Sequence, residues 1–382
     1  MSAPLAPLGL YMHWPYCARI CPYCDFNVYR ARGRDGDALT HAIIADMKRW
    51  RDITGARALT SLHFGGGTPS LMPAGDIARI IDEAEQLWGF DANAEIGLEA
   101  NPNEAARFAD IAAAGVERLS LGVQALDDAS LKRLGRDHDA AQGLAAFESA
   151  RALFKRASFD LIYAREGQTP GGWDAELAQA LARAPDHMSL YQLTIEPGTA
   201  FARQAERGDL IAPADEDTAR MYEIAQTLTG EAGLEAYEIS NHARSKAHQS
   251  RHNALYWLGA DWIGVGPGAH ARIGAHARGG RVGYEAAARP DAYVTGAVQG
   301  AGHKEERLSA LAEAQERILM GLRIDQGLDR EQLRALTGLD LNIEAARAHA
   351  QQGRLELTDS RARLTAEGRL FADRVGFDLA PG

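Results

Sequence analysis

The sequence predicts an α/β fold built from parallel strand–helix units. Two observations carry that prediction. Short runs of β-branched and aromatic residues alternate with amphipathic helical stretches through the first two-thirds of the chain, which is the rhythm of βαβ connections. At 382 residues, the chain is also long enough for a barrel-sized domain and a smaller module.

Strands are expected near residues 8–13, 61–64, 94–99, 118–122, 158–163 and 188–193, with helices near 38–51, 75–88, 104–114, 140–154 and 173–184 between them. Six such units close part of an eight-unit barrel or form an open doubly wound sheet, and the pattern alone leaves both open. In either arrangement ligands gather at the carboxyl ends of the strands. A further helical stretch near 218–229 precedes a glycine-rich strand and turn, Ile263 to His270. From about Tyr284 the alternation stops. Helical patterns near 310–322, 329–337 and 343–351 lead to alternating runs at 354–358 and 361–364 and a helix at 365–375. The expected domains are therefore 1–283 and 284–382. No internal repeat or low-complexity segment interrupts them.

Charge excludes one class of partner. Acidic and basic residues are interspersed and the formal net charge is -11, so no basic footprint for nucleic acid is present. The N-terminus has neither a basic start nor a long apolar core, so no signal peptide is expected. No run approaches the length of a membrane span.

All three cysteines lie within the stretch from Cys17 to Cys24, spaced Cys-x3-Cys-x2-Cys. A disulfide framework needs even numbers and separated partners, so this spacing reads as a loop around one soft-ligand metal centre. Thiolates suit zinc or iron–sulfur clusters. Structural zinc wants four protein ligands, and with no fourth cysteine a three-thiolate [4Fe-4S] cluster with an open iron fits better. Free thiols kept as ligands fit a reducing cytoplasm.

The phrases Leu10-Tyr11-Met12-His13-Trp14-Pro15-Tyr16-Cys17 and Cys21-Pro22-Tyr23-Cys24-Asp25-Phe26-Asn27 resemble the signature of the radical S-adenosylmethionine (radical SAM) enzymes. They are most similar to the branch that holds the oxygen-independent coproporphyrinogen III dehydrogenases and the HemW heme chaperones. The dehydrogenases carry a further cysteine two positions after the third. Phe26 stands there in this chain, which favours the chaperones.

The resemblance decides the fold as a partial (β/α)6 barrel with a small winged-helix-like C-terminal domain. It implies cluster ligation by Cys17, Cys21 and Cys24, with Tyr11 and Tyr23 among the residues around the cofactor. In Gly65-Gly66-Gly67-Thr68-Pro69, the family's matching segment contacts the methionyl end of SAM, so Gly66, Gly67 and Thr68 are candidates. The Glu99 carboxylate could bond ribose hydroxyls. Gln124 and Arg136 supply directional donors for ribose and carboxylate groups. Asp160 matches another SAM-contacting position. Relatives usually follow Asp-Leu-Ile-Tyr with Gly-Leu-Pro-Gly-Gln, whereas this chain reads Ala164-Arg165-Glu166-Gly167-Gln168, without the proline that would fix a backbone angle.

Further along, Tyr191 to Thr199 resembles the chaperone phrase, and His252-Asn253-Ala254-Leu255-Tyr256-Trp257 matches a segment associated in that family with heme. An imidazole is a competent axial ligand for heme iron, so His252 is the expected heme residue. The plain alternative is a hydrogen-bonded structural histidine among core aromatics. The implied function is a heme chaperone that carries a [4Fe-4S] cluster, binds SAM and heme, and delivers heme to acceptor hemoproteins such as respiratory-chain proteins. The family also suggests cluster-dependent homodimers, and the expectation extends to peripheral membrane association. No catalytic residue is assigned. The alternatives are a coproporphyrinogen III dehydrogenase, a radical SAM enzyme with another substrate, and a binding module without a cluster.

Overall fold

The computed structural model describes residues 6–276 and 278–381. Its centre is six parallel strands, β1 (Leu8–Trp14), β2 (Leu59–Gly66), β3 (Phe90–Ala100), β4 (Arg118–Gln124), β5 (Arg156–Tyr163) and β6 (His187–Gln192). Each pairs with the next in parallel register. Neighbours in sequence are thus neighbours in the sheet, with none of the order reversal that defines a doubly wound sheet. The partial barrel is the fold.

Helices α1 (Gly36–Thr54), α2 (Ala74–Leu87), α3 (Phe108–Ala113), α4 (Ala140–Leu153) and α5 (Pro170–Leu181) occupy the five connections. Their starts follow from the sequence. Asp35 caps α1 by accepting from the Ala38 amide, and Asp139 with Gln142 forms a complete capping box on α4. Helix α1 buries Leu39, Ile43, Met47 and Trp50 against the sheet, the spacing of one helical face. The helix expected at 104–114 is divided, because a 3₁₀ turn at Pro102–Arg107 precedes α3.

The sheet extends beyond the six strands. β7 (Glu235–Ala236) and β8 (Asn241–Ala243) add to the β6 side, while β9 (Asp261–Val265), β10 (His270–Ile273), β11 (Val282–Ala286) and β12 (His303–Arg307) add to the β1 side. The order is β12-β11-β10-β9-β1-β2-β3-β4-β5-β6-β8-β7. The expected domain boundary at 283/284 falls inside β11 and is corrected accordingly. Tyr284 packs edge-on against Trp50 of α1, and Tyr293 and Ala297 belong to the same core. A separate core begins at Ala314 and runs to Leu379.

That second unit has helices Ala310–Arg323, Arg330–Thr337 and Ile343–Gln351, with a hairpin of Leu355–Leu357 and Arg361–Leu364. A third strand, Leu328–Asp329, joins the hairpin. Helix Ala310–Arg323 docks on the barrel through Glu316, which pairs with Arg272 and the buried Arg281. Among the described residues no helix is long and apolar enough to cross a membrane.

Candidate cluster and cofactor site

The cysteine loop leaves β1 and is fastened at its base. Tyr16–Cys17 pairs in parallel with Tyr29–Arg30. The amides of Gly67 and Thr68 donate to the Trp14 and Tyr16 carbonyls at 2.6 and 3.0 Å. Only glycine fits at position 67, since a Cβ there would stand 2.8 Å from the Trp14 carbonyl oxygen and 3.0 Å from Cys17 Sγ. The far end of the loop is held by Asn27, whose side-chain amide donates to the Pro267 and Ala288 carbonyls.

Above the carboxyl ends of the strands the loop covers a cavity of about 380 Å³. Cys17, Cys21, Cys24 and Tyr23 line one wall. Gly66, Gly67 and Thr68 after β2, Glu99 of β3, Gln124 of β4, Arg136 and Asp160 of β5 line the rest. The cavity therefore unites eleven residues predicted from widely separated stretches.

The donor set fits an iron–sulfur cluster. All three thiols border one cavity, and Arg136 Nη1 lies 3.4 Å from Cys21 Sγ, a cation placed to offset thiolate charge. Burial pushes the Cys17 thiol up, and Cys24 up to about 11. Burial thus favours the neutral thiol at Cys17 and Cys24, and a metal would replace those protons. No three His, Cys, Asp or Glu side chains among the described residues converge on one ion position. A cubane does not require that, because each thiolate takes its own iron.

Polar groups at the cavity floor are held ready. Glu99 Oε1 lies 3.2 Å from His63 Nε2, and its Oε2 accepts from the Gly66 amide at 3.3 Å. Asp160 accepts from Ser120 and Ser158 at 2.8 and 2.7 Å, and burial pushes its carboxyl up. Arg136 donates to Asn101 Oδ1 and to the Gly122 carbonyl. Gln124 sits at φ 70° beside an irregularity in the β4–β5 register. Its Oε1 is buried without a partner, an acceptor that a ligand donor would satisfy.

His63, Asn101 and Ser120 were not foreseen as part of this site. Ser120 was within reach of strand periodicity, since it shares a strand face with Gly122 and Gln124. His63 directly precedes the glycine run but carries no motif of its own.

Two expected residues lie elsewhere. Tyr11 is beneath the floor, where its ring would contact a Cβ at Gly65 at 2.8 Å and its hydroxyl lies 3.0 Å from His13 Nδ1. It does not line the cavity. His252 is buried in the barrel interior, with Nδ1 2.8 Å from Ser61 Oγ and Nε2 2.8 Å from Tyr256 Oη. Its ring stacks on His63 at 4.9 Å, and burial pushes its pKa well below the ordinary value. Both ring nitrogens are hydrogen-bonded inside the barrel, so heme ligation by His252 would require its contact with Tyr256 to open.

Residues 11–180 match the radical SAM superfamily, and residues 308–371 match the HemN C-terminal domain. The heme chaperone HemW of Mycobacterium tuberculosis is 36% identical over 382 residues, covering 97% of this chain and 94% of that protein. The chain belongs to the HemW family of radical SAM proteins. HemW of Bacillus subtilis is 30% identical over 377 residues, covering 96% and 97% of the two chains. The mitochondrial radical S-adenosyl methionine domain-containing protein 1 of Danio rerio is 38% identical over 385 residues, covering 96% of this chain and 85% of that one. The structure of coproporphyrinogen III oxidase (HemN) from Escherichia coli matches with a TM-score of 0.82 at 22% identity, covering 99% of this chain and 91% of that chain. HemN therefore shares the fold of this HemW-family chain.

Proposed function

We propose that this HemW-family protein is a heme chaperone of the reducing cytoplasm that carries a [4Fe-4S] cluster on Cys17, Cys21 and Cys24, binds SAM, and hands heme to acceptor hemoproteins. The observation that carries the cofactor part is the single cavity shared by three thiols, the glycine run, Glu99, Gln124, Arg136 and Asp160. The heme part rests on similarity along nearly the whole length of proteins named as heme chaperones.

When bound, the cluster supplies an electron and an open iron. The chain's own residues do the remaining work. Gly66 and Gly67 leave backbone exposed to the methionyl end of SAM. Glu99 and Asp160 offer carboxylate acceptors to hydroxyl donors, while Gln124 offers its unpaired amide oxygen. Arg136 is braced by Asn101 and Gly122, so it presents its charge to the cluster wall without losing further side-chain freedom on binding. Phe26 is 60% exposed at the cavity rim, where the dehydrogenases carry another cysteine.

Anaerobic reconstitution with iron and sulfide, followed by paired assays, tests the reading. It predicts heme binding and no carbon dioxide release from coproporphyrinogen. Robust decarboxylation would move the chain to the dehydrogenases.

A further inference from the structure

Gln124 ends β4 in a conformation that residues with side chains rarely adopt. Its φ is 70°, and the Ala125 amide donates across it to the Val123 carbonyl at 2.9 Å, a tight turn of the strained, positive-φ kind. The side chain lines the cluster and cofactor cavity with its Nε2 folded over Gly122, where a Cβ would stand 2.7 Å away. Strain of this sort persists only where the surroundings enforce it.

The enforcing group is Arg165, which follows β5 at the position where relatives usually have leucine. Its side chain is buried. Nη1 donates to the Ile162 carbonyl at 2.7 Å and to the Gln124 carbonyl at 3.4 Å, while Nη2 pairs with Glu176 Oε2 at 2.5 Å. Glu176 of α5 in turn accepts from the Leu126 amide at 2.7 Å through Oε1 and from Gln168 Nε2 at 3.0 Å through Oε2. The turn is therefore held at both ends, its carbonyl by the guanidinium and its following amide by the carboxylate. Burying an ion pair offers little net stability over apolar side chains of the same volume, whereas a planar fork with fixed donors does set where two backbone segments lie. Neither Arg165 nor Glu176 lines the cofactor cavity; both border a neighbouring one of about 590 Å³.

Resting on the SAM reading of the cofactor cavity, we propose that Arg165 and Glu176 are positioning residues for SAM. They hold the Gln124 turn so that its unpaired Oε1 meets a donor of the cofactor, and they act through that backbone rather than by touching the ligand. The acceptor is then in place before binding, and no ordering of the turn opposes it.

A double-mutant cycle on SAM affinity, read by calorimetry on the anaerobically reconstituted full-length protein, tests this. Arg165→Lys keeps a charge for Glu176 but not the planar fork, so it should weaken SAM binding several-fold. Arg165→Met with Glu176→Gln leaves no unpaired buried charge and should weaken it on the order of tenfold. In a Gln124→Ala background the same changes should weaken it by no more than about twofold, because the group they aim is gone. Iron content should match wild type throughout and serves as the control for folding. Should removal of the pair prevent folding, Arg165→Lys alone carries the cycle. Unchanged SAM affinity in the Arg165 variants, or the same loss with and without Gln124, would overturn the positioning role alone. Wild-type SAM affinity in Gln124→Ala, or no SAM binding by the wild type, would overturn the cofactor reading of Gln124 as well.

Discussion

His252 Nδ1 and Ser61 Oγ lie 2.8 Å apart inside the barrel. This contact ties the helix Arg251–Trp257 to β2 and leaves Tyr256 to hold the other ring nitrogen. Removing the imidazole should therefore damage stability before it affects ligand binding. His252→Ala leaves two hydroxyls unpaired and a void, at a cost of roughly 2–5 kcal/mol. Denaturant unfolding checks the cost, and an unchanged unfolding midpoint with a lost Soret band would instead make His252 a heme ligand.

Glu99 is the second test. Glu99→Gln keeps the shape but removes the carboxylate, so a charge-assisted bond to SAM worth about 1.5–3 kcal/mol should be lost. Calorimetry should read weaker SAM binding on the order of 10- to 100-fold, with the iron content unchanged.

Ala164 occupies the left-handed region at φ 57°, at the position where relatives usually place glycine. The strain costs an L-residue about 1–2 kcal/mol, partly offset by the greater freedom glycine regains on unfolding. Ala164→Gly should therefore stabilise the protein by about 0.5–1 kcal/mol, measured as a higher thermal midpoint.

Acid sensitivity follows from His242, which burial pushes down to about 3. The unfolded chain binds a proton near pH 6.5 while the folded chain refuses it, so stability falls as pH drops from about 6.5 toward 3. Wild type should lose about 2 kcal/mol more than His242→Gln between pH 7.5 and pH 5. Urea unfolding at the two pH values measures that difference.

The parallel strands and the cavity were legible because period-two runs mark strands and ligands gather at strand ends. The cysteines were marked by their spacing, whereas the glycine run, Glu99, Gln124, Arg136 and Asp160 were marked by the family resemblance, with which their strand-end placement agrees. Depth along the barrel axis is not encoded in the same pattern. Tyr11 therefore looked equivalent to cavity residues, although it lies beneath the floor. β12 reads His-Lys-Glu-Glu-Arg, and four of its five residues are exposed. Such a charged run resembles a loop, yet it is how an open sheet edge protects itself from further pairing. That disguise moved the expected domain boundary too early.

Magnetic resonance of the reduced, reconstituted protein with and without SAM tests the central claim most directly. A [4Fe-4S] signal that changes when SAM is added, and that is absent after Cys17, Cys21 and Cys24 are together replaced by alanine, is the predicted result. A four-iron signal retained in the triple variant, or a wild-type signal indifferent to saturating SAM, would contradict the account.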